Sequence, residues 1–170
     1  MHYTSWDRGD RDKPRLLAEE GPLELGVFDT QAGTASVGAE TWGLAVDKDM
    51  GASATLDDGR VYRLAGRLAK DGELNASLDG RSFTLVNENS SHWIVEDANG
   101  DKVAQFSGQN SGVRTSILEF EGETDLAPNE IVALSWFARI VLESRMEKGN
   151  NVLIIFLLLL ALAAVIVWLT

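Results

Sequence analysis

The sequence predicts a mainly β protein: a closed antiparallel β-barrel of about ten to twelve strands around a central hydrophobic α-helix, with a C-terminal transmembrane helix after it. Three observations carry this expectation. Between Leu23 and Phe120, short alternating segments are separated every 8 to 12 residues or so by turn pairs such as Asp58-Gly59, Asp71-Gly72, Asp79-Gly80 and Asn99-Gly100. After Glu119 to Gly122 the period changes to that of a helix that is apolar on nearly every side. The last feature is the run from Val152 to Leu169, which contains no charged or amide residue.

Taken in order, residues 1–20 are the least patterned and are expected to form a polar arm or a first edge strand. The barrel domain is expected over 21–148. Within it, Tyr62, Leu64 and Leu68 are spaced to face a core while Arg63 and Arg67 face out, and Phe83 with Leu85, or Ala104 with Phe106, repeat the period of two. Nine or ten such strands make a meander that must close into a barrel or split into a sandwich. The central helix is expected over 128–146, with Pro128 and Glu130 in its first turn and Gly149 as its stop. Its apolar set includes Ile131, Leu134, Trp136, Phe137, Ile140 and Val141, and only a thin seam at Ser135 and Arg139 is polar. A helix so patterned wants enclosure, and a barrel of this many strands has a lumen wider than its own side chains fill. The alternative places 151–170 in the lumen and leaves 128–146 outside as an interfacial helix.

The run 151–170 reads as a membrane anchor, marked by Val152, Phe156, Leu160, Val165 and Trp168. Eighteen helical residues reach about 27 Å, close to the hydrocarbon thickness of a bilayer. The first residues (Met1, His2, Tyr3, Thr4) show no secretory signal, so the globular part is expected in the cytoplasm of a single-pass, tail-anchored protein. Arg139, Arg145 and Lys148 before the run agree with the positive-inside bias.

Composition narrows the chemistry. The net charge of −11 argues against nucleic acid as a partner and against nonspecific adhesion to anionic lipid. The groups Arg8, Arg11, Lys13, Arg15 and Arg60, Arg63, Arg67 are expected to be ordinary solvated charge. The absence of cysteine removes disulfides, thiolate metal sites and a cysteine nucleophile. Asp57-Asp58, Asp97 and Asp101 stand beside glycine in turn contexts, and the glutamate that closes an EF-hand loop is missing near Gly108. Asn75 and Asn89 begin glycosylation sequons that a cytosolic domain never presents to the enzyme. Trp42 and Trp93 are candidates for a binding groove, core filling being the commoner use of tryptophan. No catalytic, cofactor or metal site is expected.

Two stretches carry a family likeness. One is the strand pair RSFTLVNENSSHWIVEDANGDKVAQF, with Phe83, Leu85, Trp93, Ile94, Val95 and Val103; the other runs from Pro128 through Ile131, Val132 and Leu134 to Ile140, Val141 and Glu143. In these the chain resembles the tubby carboxy-terminal-like superfamily, in its LURP-one-related and phospholipid scramblase-like branch. The resemblance implies a twelve-stranded barrel around a hydrophobic helix and a non-enzymatic role: binding a lipid headgroup or a partner protein at the membrane surface. Its alternatives are scramblase-like lipid transport and an enzyme with an unrecognised site. Oligomeric state and ligand identity stay open.

Overall fold

The structure, a computed structural model, describes residues 1–7, 9–19, 21–89, 92–107, 117–122 and 124–169; beyond Met146 it describes side chains only at Ile154, Leu157 and Leu160. Twelve strands run in chain order: β1 (Tyr3–Asp7), β2 (Arg15–Ala18), β3 (Glu24–Asp29), β4 (Thr34–Val37), β5 (Glu40–Asp47) and β6 (Gly51–Thr55), then β7 (Val61–Ala65), β8 (Glu73–Leu78), β9 (Arg81–Asn89), β10 (His92–Glu96), β11 (Lys102–Ser107) and β12 (Ile117–Phe120). Each pairs antiparallel with its sequence neighbours, and β1 pairs with β12, through Tyr3 opposite Glu119 and Thr4 opposite Leu118, to close the barrel. Closure leaves no strand edge open to a further chain.

The alternation legible in the sequence sets which side chains go inside. In β8 the buried positions are Leu74, Ala76 and Leu78, with exposed residues between them. In β7 Tyr62 and Leu64 are buried and Arg63 is exposed. The β8–β9 connection is a two-residue turn in which Asp79 and Gly80 both take positive φ, 47° and 81°. That is the geometry whose twist matches a hairpin's.

The stretch expected as a polar arm or a first edge strand holds β1 and β2, and each of these strands is hydrogen-bonded on both sides. Their pattern is hard to see because the inward face of β1 alternates a polar residue, Thr4, with an apolar one, Trp6, both buried. Thr4 is satisfied inside: its Oγ1 lies 2.7 Å from Ser135 Oγ on the central helix.

The helix α1 (Pro128–Leu169) enters the barrel at the end bearing the β4–β5 and β8–β9 turns. Its first turn is held by Glu130, whose carboxylate accepts from the Ala127 amide at 2.8 Å, the reach-back half of a capping box. The same carboxylate, buried, pairs with Arg81 at 3.3 Å. From Ile131 to Leu142 every residue is buried, so this segment stands in the lumen and not on the outside. An aromatic series ties wall to helix: Trp6 edge-on to Phe28 at 4.9 Å, Phe28 stacked on Trp136 at 6.5 Å, and Trp136 against Phe137 at 5.4 Å. The polar seam faces β1, where Arg139 stacks over the Trp6 ring at 4.7 Å. At the far end, which we call the mouth, the Arg145 guanidinium donates to the Asp71 carbonyl in the β7–β8 turn and covers the Trp93 ring at 4.7 Å.

Gly149 does not stop this helix. Where two helices separated by a short linker are expected, α1 continues as one element of 42 residues. A glycine inside a helix costs only about 1 kcal/mol relative to alanine, and the strong helix formers on both sides outweigh it.

At one close approach of two strands the chain requires glycine. Gly51, at the start of β6, has φ 119°, and a Cβ added there sits 1.9 Å from the Leu64 carbonyl oxygen of β7. Gly51→Ala is expected to lower stability by at least about 1–3 kcal/mol, the usual cost of such a backbone conformation. Gly43→Ala, where the added Cβ meets nothing within 4 Å, leaves the denaturation midpoint nearly unchanged. Equal midpoints for the two variants would refute the close approach.

Candidate functional site

The residues that carry charge are mostly spent on the barrel's own turns. Asp58 accepts from the Arg60 amide and pairs with its guanidinium at 2.6 Å. Asp97 accepts from the Asn99 and Asp101 amides, so the sequence that looks like a calcium-loop opening is a turn closed on itself. Asp57 accepts from the Thr41 amide across the β4–β5 end. Among the described residues no group of three His, Asp or Glu side chains is placed to hold a metal ion. Arg60 lies between Asp58 and Asp79, and Tyr62 donates to Asp79; burial and that carboxylate hold the phenol protonated well above its ordinary range.

Several of the basic residues are paired as well. Lys13 lies 3.5 Å from Asp29, Arg15 2.8 Å from Asp7, and Arg67 2.7 Å from Asp71. Arg8 lies outside the described residues. These exposed pairs add little stability. Trp42 and Trp93 are fully buried, so neither lines a groove; Trp42 packs edge-on to Tyr62 and Trp93 stacks on Phe106.

Amide hydrogen bonds and neighbouring cations set the acid limit of the fold. The Gly9 amide chiefly holds Asp7 below its ordinary 3.8, the Ala32 amide Asp29, the Arg60 amide Asp58, the Arg67 side chain Asp71, and the Asp101 amide Asp97. A carboxyl lowered on folding stabilises the fold above its unfolded value and loses that contribution as pH falls through the folded value. Thermal melts are expected to change little between about pH 5 and 7 and to fall below about pH 4, where these groups take up protons. A melting temperature still level at about pH 2 would contradict it.

What the sequence did not announce is a cavity of about 300 Å³ at the mouth, between α1 and the β3–β5 wall. Phe28, Trp136 and Ile140 form its apolar side. Arg139, only 4% exposed, and Glu143 lie on the helical side, joined by an Nε to Oε1 contact of 2.9 Å. Thr30, Lys48 and Ser144 stand with them around the space.

The cavity follows from side-chain size and strand length. In β5 the inward positions follow Trp42 in steps of two, giving Leu44 and Val46; these sit opposite Ala54 and Ala52 of β6, which are buried. β4 is only four residues long and begins at Thr34, opposite Gly43, so the part of β5 beyond Leu44 has no strand on that side. Small interior residues and a short neighbour leave the lumen underfilled there. As a result Val46 points inward and is still 51% exposed. Beside it, Met50 in the β5–β6 turn is 75% exposed.

Of the residues read from the sequence as barrel-filling, Ile131, Leu134, Trp136, Phe137, Ile140 and Val141 are all buried, and Trp136 and Ile140 also line the cavity. Of those read as a membrane anchor, the side chains of Val152, Phe156, Val165 and Trp168 lie outside the described residues, and Leu160 is 52% exposed. Among the described residues no helix is long and apolar enough to cross a membrane.

The class these features define is an up-and-down barrel threaded by a helix, with one underfilled corner where the helix leaves. No family model, curated protein or solved structure matches the chain.

Proposed function

We propose that the chain is a non-enzymatic, membrane-tethered barrel that binds its target, a lipid or a partner protein, at the membrane surface, with the 152–169 run in the bilayer and the barrel on the cytoplasmic side. The tubby-like and LURP-one-related likeness belongs to this proposal. One observation carries it most: α1 leaves the packed lumen and continues without a break into an uncharged run of eighteen residues. Such a run spans about 27 Å as a helix, the thickness of a hydrocarbon core. The described side chains along it, Ile154, Leu157 and Leu160, are all exposed, so their apolar surface has no protein cover. With the helix unbroken, the mouth faces the lipid.

Charge at that end favours lipid contact through apolar groups. The cations Lys13, Arg15 and Arg67 are paired, while Met50 and Val46 are bare. In flotation, the full chain is therefore expected to rise with phosphatidylcholine vesicles to the same extent at low and high salt, because buried apolar contacts are not screened. Failure to float with any vesicle would overturn the proposal, and flotation that needs anionic lipid would overturn the account of its mouth.

A further inference from the structure

We infer that the cavity at the mouth takes one acyl chain of a bilayer phospholipid, drawn up beside α1. The inference rests on the proposal that 152–169 lies in the membrane, and it adds a ligand and a site to it. Three features converge. Val46 faces the lumen yet is half exposed, and Leu44 beside it is only partly buried against the core, so the barrel carries interior-type apolar surface that its own chain does not fully cover. The space of about 300 Å³ is at the small end of ligand pockets, which hold about 300–1,000 Å³, and so suits one narrow chain and not a whole lipid. It also lies where the helix departs: Glu143 and Ser144 line it, less than one turn before the described helix surface becomes exposed at Met146.

The polar groups there select what stays outside. Arg139 is bound to Glu143 and Asp29 to Lys13, and among the side chains that line the space the cations Lys48 and Arg139 are matched in number by the anions Asp29 and Glu143. A rim so compensated has no call for a net anionic ligand; it accommodates a zwitterionic or neutral headgroup, whose own charges also cancel. A chain that moves in from the bilayer is already out of water, so the binding comes from the protein side, where Val46 and the apolar lining beside it lose their contact with water.

The test is photolabelling of the full chain in phosphatidylcholine vesicles that contain no anionic lipid. One preparation carries a phosphatidylcholine with a diazirine near the end of an acyl chain, a second carries the diazirine on the headgroup, and a third carries it on a free fatty acid. Peptides are then mapped by mass. The acyl-chain probe is expected to label residues 152–169 and, separately, the peptides containing Val46 and Trp136. Val46→Trp, which fills the space, and Val46→Asp, which puts a charge in it, are each expected to cut the second labelling at least tenfold with the first unchanged. Thermal melts verify that both variants fold. Labelling of 152–169 without the cavity peptides overturns this inference and leaves the tether standing. Cavity labelling by the headgroup probe alone, or by the free fatty acid alone, overturns the assignment to a phospholipid chain. Absence of label in 152–169 overturns the tether on which the inference rests.

Discussion

Leu157→Lys combined with Leu160→Lys is expected to release the chain from membranes. Both side chains are exposed on the distal part of α1, about half of each open to its surroundings, so lysine at either site meets no protein neighbour it must displace. In water the double variant is therefore neutral for folding. In a bilayer each lysine near the middle of a span costs about 3 kcal/mol relative to leucine, and the pair together about 6 kcal/mol. That corresponds to a shift of roughly 10⁴-fold in the membrane-to-water distribution. Centrifugation after alkaline extraction reads the result: the unaltered chain stays in the membrane pellet, and the double variant moves to the supernatant with its barrel melting unchanged. A double variant that remains in the pellet would contradict the tether.

The second large effect falls on the lumen. Phe137 has no exposed surface and stands on α1 against Trp136, in the series that runs through Phe28 to Trp6 on the wall. Phe137→Ala removes apolar volume from the centre of the barrel and leaves a cavity that the closed, fully paired wall collapses around only in part. The expected loss is about 3–5 kcal/mol. Against a total stability of about 5–15 kcal/mol this is a substantial fraction. Phe137→Leu keeps most of the volume and is expected to lose much less. Denaturant midpoints of the three proteins, followed by far-ultraviolet circular dichroism, give the comparison. A helix packed only on the barrel's outer surface would show both substitutions within about 0.5 kcal/mol of the parent.

These two predictions divide one continuous helix into an enclosed half and an exposed half. Pro128, Glu130 and the all-round apolar pattern from Ile131 to Leu142 make the enclosed half legible, and the strand alternation with its Asp-Gly turns makes the wall legible from β3 onward. Two elements were obscured for specific reasons. β1 hides because Thr4 points inward, and its polarity is explained only by Ser135, which lies 131 residues away in the chain. The continuity of α1 hides because Gly149 has the local look of a helix end, while helix stability depends on what both flanks do.

The cavity was not legible because it is made by what is missing. Ala52 and Ala54 are unremarkable residues for a strand; only the register that places Ala52 opposite Val46, together with the short β4, turns small side chains into space. The one sequence signal for it is the run Gly51, Ala52, Ser53, Ala54, whose side chains are small on both faces. The turn carboxylates, in contrast, were readable as turns from their glycine neighbours, and the structure adds which amide or guanidinium each one holds.

The division of α1 can be measured directly. The chain has no cysteine, so a single nitroxide can be placed at Ala138 or at Leu157 and its collisions with dissolved oxygen and with a water-soluble nickel chelate compared in vesicles. Ala138 is buried in the lumen and Leu157 is exposed beyond the mouth. The label at Ala138 is expected to meet neither reagent readily, and the label at Leu157 is expected to meet oxygen, which concentrates in the bilayer, far more than the chelate. A Leu157 label that collides freely with the nickel chelate would place that half of the helix in water and contradict the membrane-tethered barrel.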